Sequence, residues 1–508
     1  MSVAAEDWIK HHATFTPGKE ALVDLASGRK FSYGELHARI DKVALYLRDG
    51  LGVGQGDRVA IVSHNDSDAF EIQFACRRIG AVFMPLNWRL AVAELEYICN
   101  DGGPRVLLHG MEFASQCEEI QKLCGIPHLV TMNNGGDSDY ESGIAAAADG
   151  GGEVTPPHMD LTETWTIMYT SGTTGRPKGA RMTYQMAVYN AVHCAMTMSI
   201  TPASKNIVFL PTFHTGGLNV YANPIFHSGG TNVVLREFDP AYFLELLSDK
   251  ELCITHMFGV PTNFLMMANE PGFDDADLSH IECLGIGGAA APLALIELFA
   301  KKDIKLQQGW GMTETGPLGL MLSPDKALTK IGSSGLPPMY VHLKICDTDD
   351  VEVPFGQDGE LLIKGPTVLP GYWNREAEHD DFFTHDGWFR TGDVARQDAD
   401  GYYYIVDRTK DMFISGGENV YPAEIENVIY QLDGILENAV IGVADEKWGE
   451  VGRACVVLKP GANLDENAVI EHCDSQLARF KVPKQVRFFK ELPHNATGKV
   501  LKHEIPRD

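Results

Sequence analysis

At 508 residues, with 44% hydrophobic and 22% charged side chains, the chain has an ordinary soluble globular composition and is too long for one core. Its formal charge of −27 argues against general binding to nucleic acid or to an anionic membrane, so any anionic ligand must meet positive groups concentrated in its pocket. Ten scattered cysteines with no CxxC pair exclude a disulfide frame or a structural zinc. No apolar run reaches the roughly 18 residues of a membrane span. The N-terminal MSVAAEDWIK lacks a secretory pattern and the terminal EIPRD carries no retention tail, which together predict a cytoplasmic protein.

In chain order, Arg58–Val62 reads as a strand, Ala69–Ile79 as a helix and Arg105–His109 as a strand. Residues 135–152, rich in Gly, Asp, Ser and Ala, read as a loop. The apolar run Trp165–Met168 leads into YTSGTTGRPKGA at 169–180, and a helix follows over 183–198. Strands are predicted at 207–210, 232–235, 252–257, 281–285 and 304–307, with helices at 240–247, 261–268 and 292–300. This alternation predicts α/β layers with mostly parallel sheets. From 332 to about 404 the pairs Asp358-Gly359, Asp386-Gly387 and Asp400-Gly401 separate short strands, including 341–346 and 360–363, as in an antiparallel β subdomain. The last hundred residues mix helices at 422–432 and 467–477 with strands at 439–443 and 453–457, a compact α+β unit.

The segment at 169–180 has the chemistry of a polyphosphate cradle. Gly172 and Gly175 let backbone N–H groups converge on one anion, the hydroxyls of Thr170, Ser171, Thr173 and Thr174 add donors, and Lys178 adds charge. It differs from the Walker loop, in which Ser or Thr follows the lysine; here Gly179 does. Residues 309–314, GWGMTE, follow a predicted strand end. There Gly309 and Gly311 allow close approach, Trp310 offers a stacking face, Thr313 can bond a phosphate oxygen and Glu314 can hold a metal. RTGD at 390–393 places the Asp393 carboxylate at a turn, suited to a ribose diol. In DRTKDMFISGGENVYPAEIE, Arg408 can reach a nucleotide and Ser415, Gly416 and Gly417 form a bendable loop. HNATGKVLK presents Lys499 on a Thr-Gly turn.

With PTFHTGG at 211–217, these segments in this order make the chain resemble the adenylate-forming superfamily, which holds acyl- and aryl-CoA synthetases, beetle luciferases and peptide-synthetase adenylation domains. The resemblance covers nearly the whole length. It implies a large N-terminal domain of α/β subdomains plus a β subdomain (1–408), a hinge (409–411) with Lys410 at the swivel, and a small α+β mobile domain (412–508). It implies ATP, Mg²⁺ and CoA as co-substrates and cofactor. A carboxylate attacks the α-phosphate to give an acyl-adenylate, and the CoA thiol then displaces AMP.

By the same resemblance, the 169–180 loop holds the β- and γ-phosphates. Gly288, Ala289, Ala290 and Trp310 frame the adenine, Asp393 binds the ribose, Gly311, Met312 and Arg408 belong to the same ATP site, and Glu314 carries the metal. Lys499 bridges acid and α-phosphate, and with His214 and Thr313 makes up the catalytic set. Ser415, Gly416, Gly417 and Trp448 line the CoA path, with Lys481 and Lys484 as further candidates for its phosphates. His214, Gly216, Leu218, Gly287, Gly309 and Pro317, with Val220, Gly288 and Met312, form small apolar walls of an acyl pocket. No aspartate stands near His214 to hold an α-amino group, which disfavours an amino acid, and no wall residue is cationic, which disfavours malonate. The expected substrate is a medium-chain fatty or an aromatic, cinnamate-type acid. An acyl-AMP ligase serving a carrier protein and a luciferase-like oxygenase are the alternatives. No nucleic acid or integral membrane contact is expected, and a homodimer is left open.

Overall fold

The computed structural model describes residues 4–149, 154–171, 176–288, 291–304, 306–408, 411–415, 418–445, 447–494 and 500–507. One six-stranded sheet runs, in spatial order, His128–Met132, Pro104–Gly110, Arg58–Val62, Val82–Pro85, Thr164–Ser171, Pro177–Thr183; all neighbours are parallel except the last pair. An eight-stranded sheet runs Leu318–Met321, Leu306–Gly311, Cys283–Ile286, His256–Gly259, Lys205–Val208, Thr231–Val234, Glu20–Asp24, Lys30–Ser32, parallel but for its two outermost pairs. The expected parallel layers are therefore present.

Helix Ser67–Ile79 lies between these layers with all of its 13 residues buried. Asp68, Glu71 and Arg78 are tolerated there because each has an opposite partner, while Arg77 donates to Ala5 O and lies over the Tyr184 ring. Arg78 Nε donates to Asp7 Oδ2 at 2.7 Å, Arg39 Nε to Glu71 Oε2 at 2.9 Å, and Arg29 pairs with Asp68. Val59, Phe83, Leu22, Val234, Ile363 and Phe389 belong to one continuous core, so both sheets and the next subdomain share it.

That subdomain is the expected antiparallel unit, four strands in the order His342–Cys346, Asp358–Lys364, Phe389–Gln397, Tyr403–Arg408. The C-terminal unit is a third mixed sheet, Glu418–Val420, Phe413–Ser415, Gly449–Leu458, Ile435–Asp445, with Gln485–Phe489 parallel to Gly449–Leu458 and helices Pro422–Ile429 and Glu466–Gln476 packed on it. The chain thus combines a large N-terminal α/β part with a small C-terminal one. The two meet where Ala423 N donates to Asp407 Oδ2 at 3.0 Å, and within the C-terminal unit Lys502 Nζ pairs with Glu426 at 2.7 Å. Burial would depress the Lys502 ammonium, but Glu426, Asp407 and Asp411 outweigh it and raise its pKa.

Four local expectations are corrected. The segment expected as a loop at 135–152 contains helix Asp139–Asp149; its run of four alanines favours helix more than its glycines oppose it. The pair Asp358-Gly359 opens a strand instead of a turn, where a Cβ on Gly359 would lie 2.4 Å from Cys346 O across the ladder. RTGD lies inside strand Phe389–Gln397, with Gly392 at φ +68°. Finally, the strand expected at 304–307 is Leu306–Gly311, so Gly309, Trp310 and Gly311 are ladder residues paired to Met321, Leu320 and Leu318. Glycine is a poor strand former, yet a Cβ on Gly311 would stand 1.8 Å from Pro317 O, and no side chain fits there.

This gives a direct test. Gly311→Ala should cost about 1–3 kcal/mol of stability through overpacking. Gly18→Ala, where nothing lies within 4 Å of the added Cβ, should leave the thermal unfolding midpoint unmoved. Equal midpoints for the two variants would contradict the packing argument.

Candidate active site

The phosphate-loop candidate lies on an antiparallel strand pair. Thr170 pairs with Lys178 and Ser171 with Pro177; Gly172, Thr173, Thr174 and Gly175 lie outside the described residues. Cross-strand partners share a face, so Thr170 and Lys178 point the same way. Thr170 Oγ1 donates to Glu314 Oε1 at 3.2 Å. The Lys178 ammonium is buried and sits 4.2 Å from the ring centre of Phe382 and 5.8 Å from that of Tyr372. Cation–π contacts of this kind contribute roughly 0.5–2 kcal/mol.

Glu314 is the meeting point. It is 5% exposed, in the single turn Thr313–Thr315 that follows the glycine strand, beside an equally buried Thr313. The turn is set by Met312, whose N–H bonds Pro317 O at 3.2 Å and Thr315 Oγ1 at 3.0 Å. Tyr372 OH donates to Glu314 Oε1 at 2.8 Å, and Leu369 N donates to the Glu314 carbonyl at 2.9 Å. Burial first, then the neighbouring carboxylate, raises the Tyr372 phenol pKa, so it stays a donor. Among the described residues both side-chain bonds end on Oε1 and none on Oε2. A carboxylate oxygen kept in that way suits a hard divalent cation such as Mg²⁺.

The second tie joins the indole to the ribose candidate. Trp310 Nε1 donates to Asp393 Oδ2 at 2.7 Å, with Asp393 only 4% exposed. A hydrogen bond to a charged group of this kind is worth about 1.5–3 kcal/mol. The Trp310 ring covers Gly319, where a Cβ would lie 2.4 Å from Cζ3. Arg408 stands opposite Asp393 in the ladder, at the end of its strand. Gly288 has φ +79°, a conformation that favours glycine; Ala289 and Ala290 lie outside the described residues.

Around the acyl pocket candidate, His214 caps the short helix Thr215–Gly217 by accepting from Gly216 N on Nδ1 at 3.1 Å. A neutral ring bonded in this way carries its proton on Nε2. The segment is pinned from the other sheet: Asn65 Nδ2 donates to Leu210 O and Asn65 Oδ1 accepts from Thr212 N, both at 2.9 Å. Leu218 and Val220 are buried. Gly287 and Gly309 are neighbours across adjacent strands, a Cβ on the first lying 3.3 Å from the carbonyl of the second, and Pro317 closes the turn beyond Gly311.

In the C-terminal unit, Ser415 is buried and pairs with Gly449, which brings it beside Trp448 at the tip of the long hairpin. Trp448 is 44% exposed, with the Lys447 ammonium 4.8 Å above its ring. Lys481 is held by Glu424 at 2.7 Å. Gly416, Gly417, Lys410 and Lys499 lie outside the described residues. Sequence reasoning missed Tyr372 and Asn65. The Pro-Gly-Tyr-Trp run at 370–373 was the available signal for Tyr372, since a glycine at φ +140° aims the next side chain out of regular structure. Asn65 carries no motif.

The AMP-binding enzyme family matches residues 9–373, and the AMP-binding enzyme C-terminal domain matches 424–499. The chain is 38% identical over 504 residues to a feruloyl-CoA synthase from Amycolatopsis sp, covering 98% of each chain. It is 37% identical to the long-chain-fatty-acid–CoA ligase FadD13 of Mycobacterium tuberculosis, covering 97% of this chain and 96% of that one. It superposes on ATP-bound MatB from Rhodopseudomonas palustris with a TM-score of 0.89, at 31% identity, over 99% of this chain and 98% of that one.

The Glu314 geometry is open to test. Tyr372→Phe removes one of two donors to a buried carboxylate, a loss of about 1–3 kcal/mol. It should raise the Mg²⁺ concentration for half-maximal activity several-fold while the KM for the acid holds; an unchanged Mg²⁺ curve would separate Tyr372 from the metal. The matches along nearly the whole length, over a site of this composition, establish that the chain belongs to the adenylate-forming superfamily, among its AMP-forming acid:CoA ligases.

Proposed function

We propose that the chain activates a medium-chain fatty or an aromatic, cinnamate-type acid with ATP and passes it to CoA. The observation that carries this reading is the convergence on Glu314 of the phosphate-loop hairpin, the GWGMTE turn and Tyr372. The apolar, glycine-lined face beside His214 supports an uncharged acyl group, as do relatives named for feruloyl and long-chain fatty acyl substrates. The ten unpaired cysteines, eight of them buried and nine raised in pKa chiefly by burial, support a reducing, cytoplasmic setting. A homodimer belongs to the same proposal and would be read by light scattering.

In this reading, Thr170, Thr313 and residues 172–175 bind and orient the β- and γ-phosphates, and Lys178 adds positive charge. Glu314 would hold Mg²⁺, which supplies charge neutralisation between phosphate oxygens. Asp393 holds the ribose and is itself oriented by Trp310, so sugar and base are fixed by one hydrogen-bonded unit. The acid's carboxylate oxygen bonds the α-phosphorus as the bond to pyrophosphate breaks. Lys499 shields the two approaching anions at that moment. The thiol sulfur of CoA then bonds the acyl carbon as the bond to AMP breaks.

We place the domain boundary at 409–411, with Lys410 as swivel, supported by the change of sheet between Arg408 and Phe413. Rotation there would withdraw Lys499 and bring the Ser415 loop and Trp448 toward the acyl-adenylate.

Two measurements test this. With Mg²⁺, ATP and a panel of acids from hexanoate to palmitate plus cinnamates, the protein should release pyrophosphate and, with CoA, form thioesters of the expected mass. Silence across the panel would refute the reading. Lys499→Ala should raise the adenylation barrier by about 3–4 kcal/mol, the range for one preorganised stabiliser. It should still convert supplied acyl-adenylate to thioester, whereas equal loss of both halves would remove Lys499 from the first step.

A further inference from the structure

Three adjacent strands of the eight-stranded sheet place Phe258, Gly285 and Gln307 in one register row, with their side chains on the same face. Two residues on, Gly287 and Gly309 repeat the pattern, so 285, 287 and 309 form a strip of bare backbone. The strip starts beside the His214 turn and runs inward. Three side chains cover it. A Cβ on Gly285 would lie 3.0 Å from Phe258 Cδ2 and 2.6 Å from Tyr221 Oη; one on Gly287, 3.2 Å from Phe258 Cε2 and Cζ; one on Gly309, 2.7 Å from Met321 Sδ. The Phe258 ring also reaches the histidine turn, where its Cε1 is 3.5 Å from a Cβ built on Gly216. One ring therefore spans the mouth and the inner end of the strip.

The walls behind it are fixed. Tyr221 OH lies 3.2 Å from Cys283 Sγ, Cys283 Sγ donates to Gln307 Oε1 at 3.0 Å, and Gln307 Nε2 donates to Thr197 O at 2.8 Å. Tyr221 and Cys283 are buried, whereas Phe258 is only half-buried and meets Tyr221 edge-on, with centroids 6.3 Å apart at 82°. A half-exposed phenylalanine lying on glycines, in front of a hydrogen-bonded wall, is a movable or removable stop; the wall is not.

We infer that Phe258 is the specificity-determining stop of the acyl pocket. Its ring occupies the inner end of the glycine strip, limits the length of a linear chain, and offers an edge and face to a planar aromatic acid. This rests on the acid:CoA ligase reading above. Two residues of strand, ~7 Å, are the depth the ring covers, enough for several methylenes, each worth roughly fourfold in binding when buried.

The test compares wild type, Phe258→Ala and Phe258→Leu by thioester formation with straight-chain acids from hexanoate to palmitate and with cinnamate. In Phe258→Ala, kcat/KM should rise at least about tenfold for acids about four carbons longer than the wild-type optimum. It should fall about tenfold for cinnamate, mainly through KM, as an aromatic partner is lost. The KM for ATP should not move, and Phe258→Leu should fall between. If Phe258→Ala does not fold, as the unfolding midpoint and ATP KM would reveal, the leucine variant carries the comparison. Superimposable chain-length profiles in active variants would overturn the inference and leave the ligase reading standing. Absence of any thioester from wild type would overturn both.

Discussion

A buried carboxylate is expensive unless donors surround it, and Glu314 draws its donors from segments far away along the chain. Thr170 is 144 positions away and Tyr372 is 58, and both hydroxyls end on the same oxygen. Neither donor is charged, so the anion is supported without being neutralised. The position of the phosphate-loop hairpin relative to the glycine strand follows from this one side chain. So does the seating of the 369–372 segment, whose backbone also bonds the Glu314 carbonyl.

The Trp310–Asp393 bond does comparable service between layers. It joins the next-to-outermost strand of the eight-stranded sheet to the antiparallel subdomain, and the next strand of that subdomain leads straight into the C-terminal unit. The residues proposed for base, sugar and phosphate therefore come from three subdomains, all leaning on one shared core. A displacement of any layer would disturb all of them together, which is how a site can be exacting about geometry while its residues lie on separate elements.

Much of the architecture was legible because buried parallel strands leave short apolar runs, such as 58–62, and glycine-rich turns mark their ends. Pro261–Ala268 is visible in the chain because proline sets the first turn and apolar spacing does the rest. The reading faltered where tertiary contact overrode local preference. Gly309 and Gly311 look like loop residues, and are in the ladder because Met321 and Pro317 leave no room for a side chain. Asp393 looked like a turn residue because its neighbour Gly392, at φ +68°, sits in a bulge of the ladder. At the site, Glu314, Trp310 and Thr170 could be picked out from their motifs, but that they bond Tyr372, Asp393 and one another is a fact of folding. Phe258 could not be picked out at all: as a lone aromatic in a strand, it has the pattern of core packing.

Lys178 invites a last thought about how a cation can be stored. Rings hold it by their quadrupoles, and among the described residues no carboxylate lies within ion-pairing distance of its amine. A carboxylate would have cancelled the monopole and then competed with any arriving phosphate. Aromatic faces fix the ammonium in place without taking up its charge, on a chain that carries 69 acidic groups against 42 basic ones.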